Sequence, residues 1–180
     1  MIFLPTLETE RLVLRPVTLK DADSVFTYAS NPNVARYVTW EPHSSVKETE
    51  EIISNFFLEN YKKNIPEPWA ITFKDRREWV IGAIGCRYYD RDPECMELAY
   101  VLAEEHWGQG ITTEAAKAVL PYIFEQYKPK TIVGRYVESN PASGRILEKL
   151  GMKFIESREE IKKGHLETMS FFGFELNELN

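Results

Sequence analysis

The chain has 180 residues, of which 43% are apolar and 13% aromatic, and its formal net charge is −6 at pH 7. This length and composition are typical of a globular protein, and we expect a single domain over residues 1–180. No apolar run approaches the ~20 residues of a membrane span, and the N-terminal residues lack the pattern of a signal peptide. We therefore expect a cytoplasmic protein without membrane contact.

Charge and cysteine content argue against several classes of function. There are 22 basic and 28 acidic residues, and no basic run alternates with aromatic residues, so no nucleic-acid partner is expected. An acidic surface favours cationic partners such as amines or basic proteins. Cys86 and Cys95 are too few and too oddly placed for a disulfide framework or a paired-cysteine metal site. They are expected to be buried thiols, and no metal is expected.

A strand is predicted near the N-terminus. In the stretch ERLVLRPV, residues 10–17, two leucines alternate with Arg11, Val13 and Arg15. This period of two indicates a strand with one buried face, and Pro16 predicts its end.

Two helices follow the first strand. Residues 19–30 carry apolar side chains at helical spacing, and Asn31-Pro32 closes this first helix. Residues 44–63 predict a second helix that begins at a serine cap and has five apolar residues on one side: Ile52, Ile53, Phe56, Phe57 and Tyr61. Three aromatic residues between the helices either line a substrate pocket or cover the core: Tyr37, Trp40 and His43.

The rest of the chain alternates strands and helices. PWAITFKD, EWVIGAIGCRYYD and ECMELAYVLA predict three antiparallel strands, the last two separated by Arg91-Asp92-Pro93. TTEAAKAVLPYIFEQY predicts a helix that Pro121 should kink or shorten. A strand, TIVGRYV, and a helix from Pro141 to Gly151 come next, and two strands joined at Lys163-Gly164 end the fold.

This order of elements predicts an α/β (α+β) fold with a mixed, mostly antiparallel sheet and about four flanking helices. A strand-helix-strand unit makes its two strands parallel, with a right-handed connection. The strands MELAYVL and TIVGRYV should therefore lie side by side and point the same way.

Gly108 and Gly110 stand just before a predicted helix, whose first N–H groups have no partner within the helix. Without side chains there, an anion such as a pyrophosphate can approach the main chain and the positive end of the helix dipole. A tight turn with positive φ at one glycine is the alternative. The spacing of a P-loop is absent. A dinucleotide fingerprint would place glycine directly after the strand and an acid about 20 residues on, and this sequence has neither.

Three segments, HWGQGITTEA, SNPASGRILEKLGM and TERLVLRPVTLKDAD, together resemble the GNAT superfamily of N-acetyltransferases. HWGQGITTEA is similar to the motif that binds the pyrophosphate of acetyl-CoA. SNPASGRILEKLGM is similar to a second motif, in which an asparagine and a serine three residues on face the pantetheine arm. TERLVLRPVTLKDAD resembles the start of the branch that acetylates N-terminal amines of ribosomal proteins. Thr112 and Trp107 depart from common family residues, and Thr112 either crowds the phosphates or hydrogen-bonds one.

The resemblance implies the acyl-CoA N-acyltransferase fold, in which the central parallel strands splay apart and leave backbone groups for the pantetheine amides. It implies acetyl-CoA as co-substrate. The residues that would contact it are Tyr100, Val101, Leu102, Trp107, Gly108, Gln109, Gly110, Ile111, Thr112, Thr113, Asn140 and Ser143.

The same resemblance suggests catalytic roles. A backbone N–H near Tyr100 or Val101 would stabilise the developing oxyanion. Ser143 would donate a proton to the leaving thiolate, and Asn140 would hold the cofactor or a water while also serving as a possible helix cap. Glu97 would take the amine proton, directly or through water, or instead bind the positive charge of the acceptor.

Other residues with catalytic chemistry are weaker candidates. His106 and His165 could act as bases, but both are expected at the surface. A covalent route through Cys86 or Cys95 has no local signature, so direct attack in a ternary complex is expected.

The expected function is acetyl transfer to a primary amine, the N-terminal α-amine of a ribosomal protein in the leading interpretation. The alternatives are a small amine, such as a polyamine, an amino-sugar antibiotic or an amino acid, and a non-catalytic coenzyme A binding module. The family often forms dimers, and both a monomer and a homodimer are compatible with the sequence.

Overall fold

The computed structural model describes residues 4–89, 92 and 94–175. Over these residues, eight strands form one sheet in the order β1-β2-β3-β4-β5-β6-β8-β7. The strands are β1 (Leu7–Glu8), β2 (Leu12–Pro16), β3 (Trp69–Phe73), β4 (Gly82–Tyr88), β5 (Cys95–Leu102), β6 (Thr131–Val137), β7 (Lys153–Lys162) and β8 (His165–Glu175). All neighbouring strands are antiparallel except β5 and β6, which are parallel. The predicted mixed sheet with a central parallel pair is confirmed.

Helices cover both faces of the sheet. They are α1 (Ala22–Ala29), α2 (Pro32–Ala35), α3 (Val46–Ile52), α4 (Leu58–Lys62), α5 (Ile111–Tyr127) and α6 (Pro141–Lys149). A π-helical turn, Ile53–Phe57, joins α3 to α4. Because the π turn makes α3 and α4 one continuous helix, this helix, α1, α5 and α6 agree with the predicted number of about four. The short α2 is additional. Within the described ranges, none of the helices combines the length and hydropathy that crossing a bilayer requires.

Two apolar clusters hold the helices on the sheet. The larger cluster lies under α5 and α6 and includes Trp69, Ile111 and Leu147, each at most 1% exposed. The smaller cluster lies under α1 and the turn after α3, and includes Val25 and Ile53. Burial of such side chains contributes about 1.5–3 kcal/mol each.

Three local predictions were wrong in part. Val13 was expected on an exposed face but is 2% exposed, because helices cover the sheet on both sides. Phe56 was expected inside but is 47% exposed, because the π turn adds a residue to the helical turn and rotates the apolar side. Pro121 does not shorten α5, since Pro121 and Lys117 are both exposed and water can satisfy the carbonyl that proline leaves unbonded.

The connections agree with the predicted turns where they are described. The hairpin formed by β7 and β8 has its turn at Lys163 and Gly164, both of which have positive φ. The predicted turn at Arg91-Asp92-Pro93 lies outside the described residues except for Asp92.

Candidate active site

A gap between β5 and β6 forms the centre of the candidate site. The two strands are in register only from Cys95 opposite Thr131 to Glu97 opposite Val133. Beyond Glu97, β5 remains paired with β4, and β6 remains paired with β8. The strands thus part as the family resemblance predicts. Backbone groups that face the gap lack strand partners there, so an extended ligand with amide groups can bind them.

The glycine loop lies at the open end of this gap. Gly108 has φ 73° and Gly110 has φ 75°, values that favour glycine at both positions. The first hydrogen bond of α5 runs from the N–H of Glu114 to the carbonyl of Gly110 at 3.0 Å. The N–H groups of residues 111–113 therefore have no partner within the helix. The turn requirement is therefore compatible with an anion site in this loop.

Open space surrounds the two glycines. A Cβ at Gly108 would meet no atom within 4 Å, and one at Gly110 would meet only Nη2 of Arg11, at 3.8 Å. An anion could therefore approach the main chain from this side.

Arg11 adds a positive charge to the loop, a feature that the sequence motifs did not predict. Its Nη2 donates to the carbonyl of Gln109 at 3.1 Å, and its Nε pairs with Glu114 at 2.6 Å. Thr9 donates to the other oxygen of Glu114 at 2.6 Å. Burial alone would raise the pKa of the Glu114 carboxyl, but the bonds from Thr9 and Arg11 lower it. The sequence signal that could have indicated this residue is the alternation of Arg11 with the leucines of β2.

The other predicted cofactor contacts surround the same loop. Trp107, 43% exposed, donates its indole N–H to the carbonyl of Leu102 at 2.8 Å, at the end of β5. The amide of Gln109 donates to the carbonyl of Glu105 at 3.0 Å. The side chains of Ile111 and Thr112 are buried. Their backbone N–H groups, rather than their side chains, are therefore available at the helix start.

A pair of hydroxyl groups joins β5 to α6. The Tyr100 hydroxyl oxygen lies 2.7 Å from Oγ of Ser143 and 3.3 Å from the Ser143 carbonyl. Burial raises the pKa of Tyr100 to about 12, so this hydroxyl is protonated at neutral pH. If Tyr100 donates to Ser143, the Ser143 hydroxyl keeps its own hydrogen for another acceptor.

Close packing of α6 against β6 sets the position of Ser143. A Cβ at Gly144 would lie 2.6 Å from Cζ of Tyr136, so only glycine permits this approach. Asn140 occupies the N-cap position of α6, yet its side chain makes no capping hydrogen bond. The suggested capping role is therefore not performed by the side chain.

Glu97 lies on the opposite face of β5 from Tyr100, as alternation along a strand requires. Its side chain is 8% exposed, and both oxygens accept from guanidinium groups. Nε of Arg135 lies 2.7 Å from Oε1, and Nε of Arg87 lies 3.2 Å from Oε2. Proton uptake by Glu97 would weaken these charge-assisted bonds. Its role as a base stays a prediction, and these contacts favour a fixed carboxylate.

A charged cavity of about 420 Å³ opens beside Glu97. It is lined by Arg87, Tyr88, Tyr89, Glu97, Arg135, Arg158 and Glu160. Arg135 links Glu97 to Glu160 of β7, with 2.9 Å between Nη1 and Oε2. Glu97 is also the last residue of β5 that pairs with β6, so this cavity lies at the point where the two strands begin to part.

The remaining candidates lie elsewhere. His43 is buried, bonds Thr49 through Nδ1 at 2.8 Å and lies 5.3 Å from the Trp40 ring, so this pair covers the core. His106 packs edge-on against Phe73. Tyr37 accepts a hydrogen bond from Lys162 at its carbonyl.

The two cysteines are poorly suited to covalent catalysis. Burial raises the pKa of the Cys86 and Cys95 thiols, whereas a nucleophilic cysteine needs a lowered pKa. Among the residues that the structure describes, no three potential ligands are grouped to hold a metal ion.

Comparisons with known proteins agree with this architecture. Residues 11–153 match the family described as the acetyltransferase (GNAT) domain. The uncharacterized N-acetyltransferase YoaA of Bacillus subtilis is 33% identical over 150 residues, covering 83% of each chain. Spermidine N(1)-acetyltransferase of Vibrio cholerae is 22% identical over 87% of this chain and 82% of its own. The chain belongs to the GNAT family and is an acetyl-CoA-dependent N-acetyltransferase.

A solved structure has the same fold. It is RimL, a ribosomal L7/L12 α-N-protein acetyltransferase in complex with coenzyme A, and it matches with a TM-score of 0.82. The match has 14% sequence identity and covers 95% of this chain and 98% of that chain.

Proposed function

We propose that this enzyme acetylates the N-terminal α-amine of a protein, with ribosomal proteins as the leading candidates, by direct attack in a ternary complex. The observation that carries the proposal is the gap between β5 and β6, which has the glycine loop at one end and the charged cavity at the other. Two substrates can therefore meet in it from opposite ends. The cavity is open, since Arg158 is 46% exposed, and an extended N-terminus can enter it.

The described residues fit acetyl-CoA as co-substrate. The N–H groups of residues 111–113 and the guanidinium of Arg11 would hold the diphosphate. Backbone groups of Val101 and Leu102 would bind the pantetheine amides in the gap. Acetyl-CoA supplies a thioester with an electrophilic acyl carbon. A backbone N–H near Tyr100 or Val101 would stabilise negative charge on the acyl oxygen.

Ser143 is the proposed proton donor to the leaving sulfur. Its buried position beside the gap and its bond to Tyr100 support this role. The Tyr100 hydroxyl orients Ser143 and can return a proton to it. The Asn140 side chain, which makes no capping hydrogen bond, would contact the cofactor or a water.

Glu97 is proposed as a fixed charge in the acceptor site. Because Arg87 and Arg135 already occupy its two oxygens, it orients these arginines along the cavity wall. This departs from its predicted role as general base.

A small amine is the second candidate acceptor. The similarity to spermidine N(1)-acetyltransferase over most of both chains favours this alternative. A non-catalytic coenzyme A binding module is the third. We further propose a cytoplasmic location and a monomeric or homodimeric state, which fractionation and light scattering would test.

An acceptor panel separates these functions. Calorimetric titration with acetyl-CoA should first show binding. Thiol release would then be followed with peptides that have a free N-terminal alanine or serine, and with spermidine, an aminoglycoside and free amino acids. We expect the peptides to give the highest kcat/KM. A higher kcat/KM with a small amine would make a small amine the acceptor in place of a protein N-terminus. Acetyl-CoA binding without any turnover would support the non-catalytic module.

A further inference from the structure

Glu67 is a buried carboxylate that has no role in the site described so far. It lies just before β3 and is 8% exposed. Its Oε2 has no hydrogen-bond partner, and it is the one buried side-chain oxygen or nitrogen in this condition among the described residues. Because burial of an unpaired polar atom is costly, this oxygen calls for a functional explanation.

Glu67 lies on the same face of the sheet as Glu97, one strand away from the gap. A Cβ at Gly85 would lie 2.7 Å from Cα of Glu67, so the main chain at Glu67 lies directly on β4. Gly85 is opposite Ala99 of β5, which is two residues beyond the last pairing of β5 with β6. Opposed Cα atoms of antiparallel strands are only ~4.5–5.5 Å apart.

The backbone around Glu67 is held firmly. Cys86 donates its N–H to the carbonyl of Pro66 at 2.9 Å, and the amide of Asn60 donates to the carbonyl of Glu67 at 3.3 Å. The Tyr61 hydroxyl donates to the carbonyl of Pro68 at 2.5 Å. These bonds position the carboxyl group without using its oxygens.

Arg87 connects Glu67 to Glu97. Its Nη1 lies 3.5 Å from Oε1 of Glu67, and its Nε lies 3.2 Å from Oε2 of Glu97. Glu97 has a guanidinium on each oxygen, whereas Glu67 has one long contact and one unpaired oxygen. Of these two carboxylates, Glu67 can therefore accept a proton with less loss of hydrogen bonding.

The surroundings of Glu67 favour proton uptake. Burial raises the pKa of the Glu67 carboxyl, the charge of Glu97 raises it further, and the charge of Arg87 opposes both. The charge of Glu67 also reaches Cys86 and Tyr61, but burial raises the pKa of each, so both stay neutral. A base whose pKa is closer to neutral exchanges protons more effectively at the pH of catalysis.

We propose that Glu67 is the proton acceptor for the amine substrate. With the acceptor in the cavity beside Arg87, the N–H bond of its ammonium breaks, the proton passes through a bridging water to Oε2 of Glu67, and nitrogen keeps the electron pair for its attack on the acyl carbon. Arg87, Glu97 and Arg135 supply fixed charges around this transfer. The inference rests on the acceptor site proposed above, and it replaces Glu97 as the predicted base.

Glu67→Gln tests this role because it keeps the shape of the side chain and removes its basicity. At pH 7 we expect kcat/KM for a peptide with a free N-terminal alanine, or for spermidine if that is the acceptor, to fall about 100-fold. The rising limb of the pH profile should disappear. Glu125→Gln, an exposed carboxylate near the end of α5, is the matched control and should retain the wild-type profile. Glu67→Asp should retain the rising limb at a lower rate.

Two further measurements separate failure of this inference from failure of the proposed function. Acetyl-CoA affinity of Glu67→Gln should equal that of the wild type. A raised pKa means that the folded protein binds this proton more tightly than the unfolded chain, so stability falls as pH rises above the ordinary carboxyl range. Glu67→Gln should therefore increase the Tm at pH 8.

Wild-type turnover and pH dependence in Glu67→Gln, with acetyl-CoA binding intact, would overturn the inference while leaving the proposed function in place. Loss of the rising limb in Glu67→Asp, which keeps a carboxylate, would also contradict it. Failure of the wild-type protein to bind acetyl-CoA would instead overturn the proposed function, and this inference with it.

Discussion

The two faces of β5 present different kinds of groups to the proposed substrates. On the face toward α6, Tyr100 and Ser143 present neutral hydroxyl groups, and the adjacent glycine loop presents main-chain N–H groups. On the other face, Glu97 belongs to a network of ion pairs that includes Arg87 and Arg135. Under the proposed function, cofactor recognition therefore depends on backbone geometry, whereas acceptor recognition depends on the arrangement of charged side chains.

This difference teaches where function can vary within the fold. A site made of main-chain groups changes only when the backbone moves, because every residue carries the same N–H and C=O groups. A network of side-chain charges changes with single substitutions. The acceptor should therefore be easier to alter than the cofactor.

Loss of the hydroxyl on the cofactor face should have the largest effect. Ser143→Ala should lower kcat about 100-fold, because general acid catalysis contributes at least this factor. Acetyl-CoA affinity, measured by calorimetry, should change little. Addition of Tyr100→Phe to this variant should cause little further loss, since the two hydroxyls act as a unit. Independent, multiplicative losses would show that Tyr100 does not act through Ser143.

A charge at the glycine loop should produce the next largest effect. Gly110→Asp should weaken acetyl-CoA binding about 30-fold, or ~2 kcal/mol, because a carboxylate would repel the diphosphate. Gly164→Asp is the matched control: its φ of 78° gives a similar backbone cost, but it lies in the hairpin turn. Equal loss of affinity in both variants would point to general destabilisation rather than an anion site.

Neutralisation of the charged face should affect stability more than cofactor binding. Glu97→Gln should lower the free energy of unfolding by about 1.5 kcal/mol, less than for a fully buried ion pair, since the Arg87 side chain is 34% exposed. Acetyl-CoA affinity should remain within about twofold of the wild-type value, because Glu97 faces away from the hydroxyl pair. Denaturant unfolding and calorimetry measure the two quantities. Exposed Glu159 provides the control, as Glu159→Gln, and a large loss of affinity in Glu97→Gln would break the distinction between the faces.

The smallest effect is expected at Thr112. Thr112 is 5% exposed, so we expect its side chain neither to crowd nor to hydrogen-bond the phosphates. Thr112→Ala should leave acetyl-CoA affinity unchanged and lower stability by about 1 kcal/mol through lost packing. A clear change in affinity would mean that this side chain reaches the ligand.

Local patterns in the sequence predicted most of the fold. Period-two and helical spacing identified the strands and helices, and the strand-helix-strand unit predicted that β5 and β6 are parallel. The resemblance added the separation of these strands. The exposure of Phe56 was not predicted, because the helical spacing assumed a regular α-helix and a π turn interrupts that spacing at Ile53–Phe57.

The sequence by itself determined the local segments of the proposed cofactor site, and the tertiary structure decided the proposed acceptor site. The glycine loop and the start of α6 are contiguous segments, so their backbone geometry follows from local residue preferences. The ion pairs join residues from different strands, and Arg87 meets Glu67 and Glu97 only because β3, β4 and β5 are neighbours. Such lateral contacts depend on strand order and register, which local preferences do not specify.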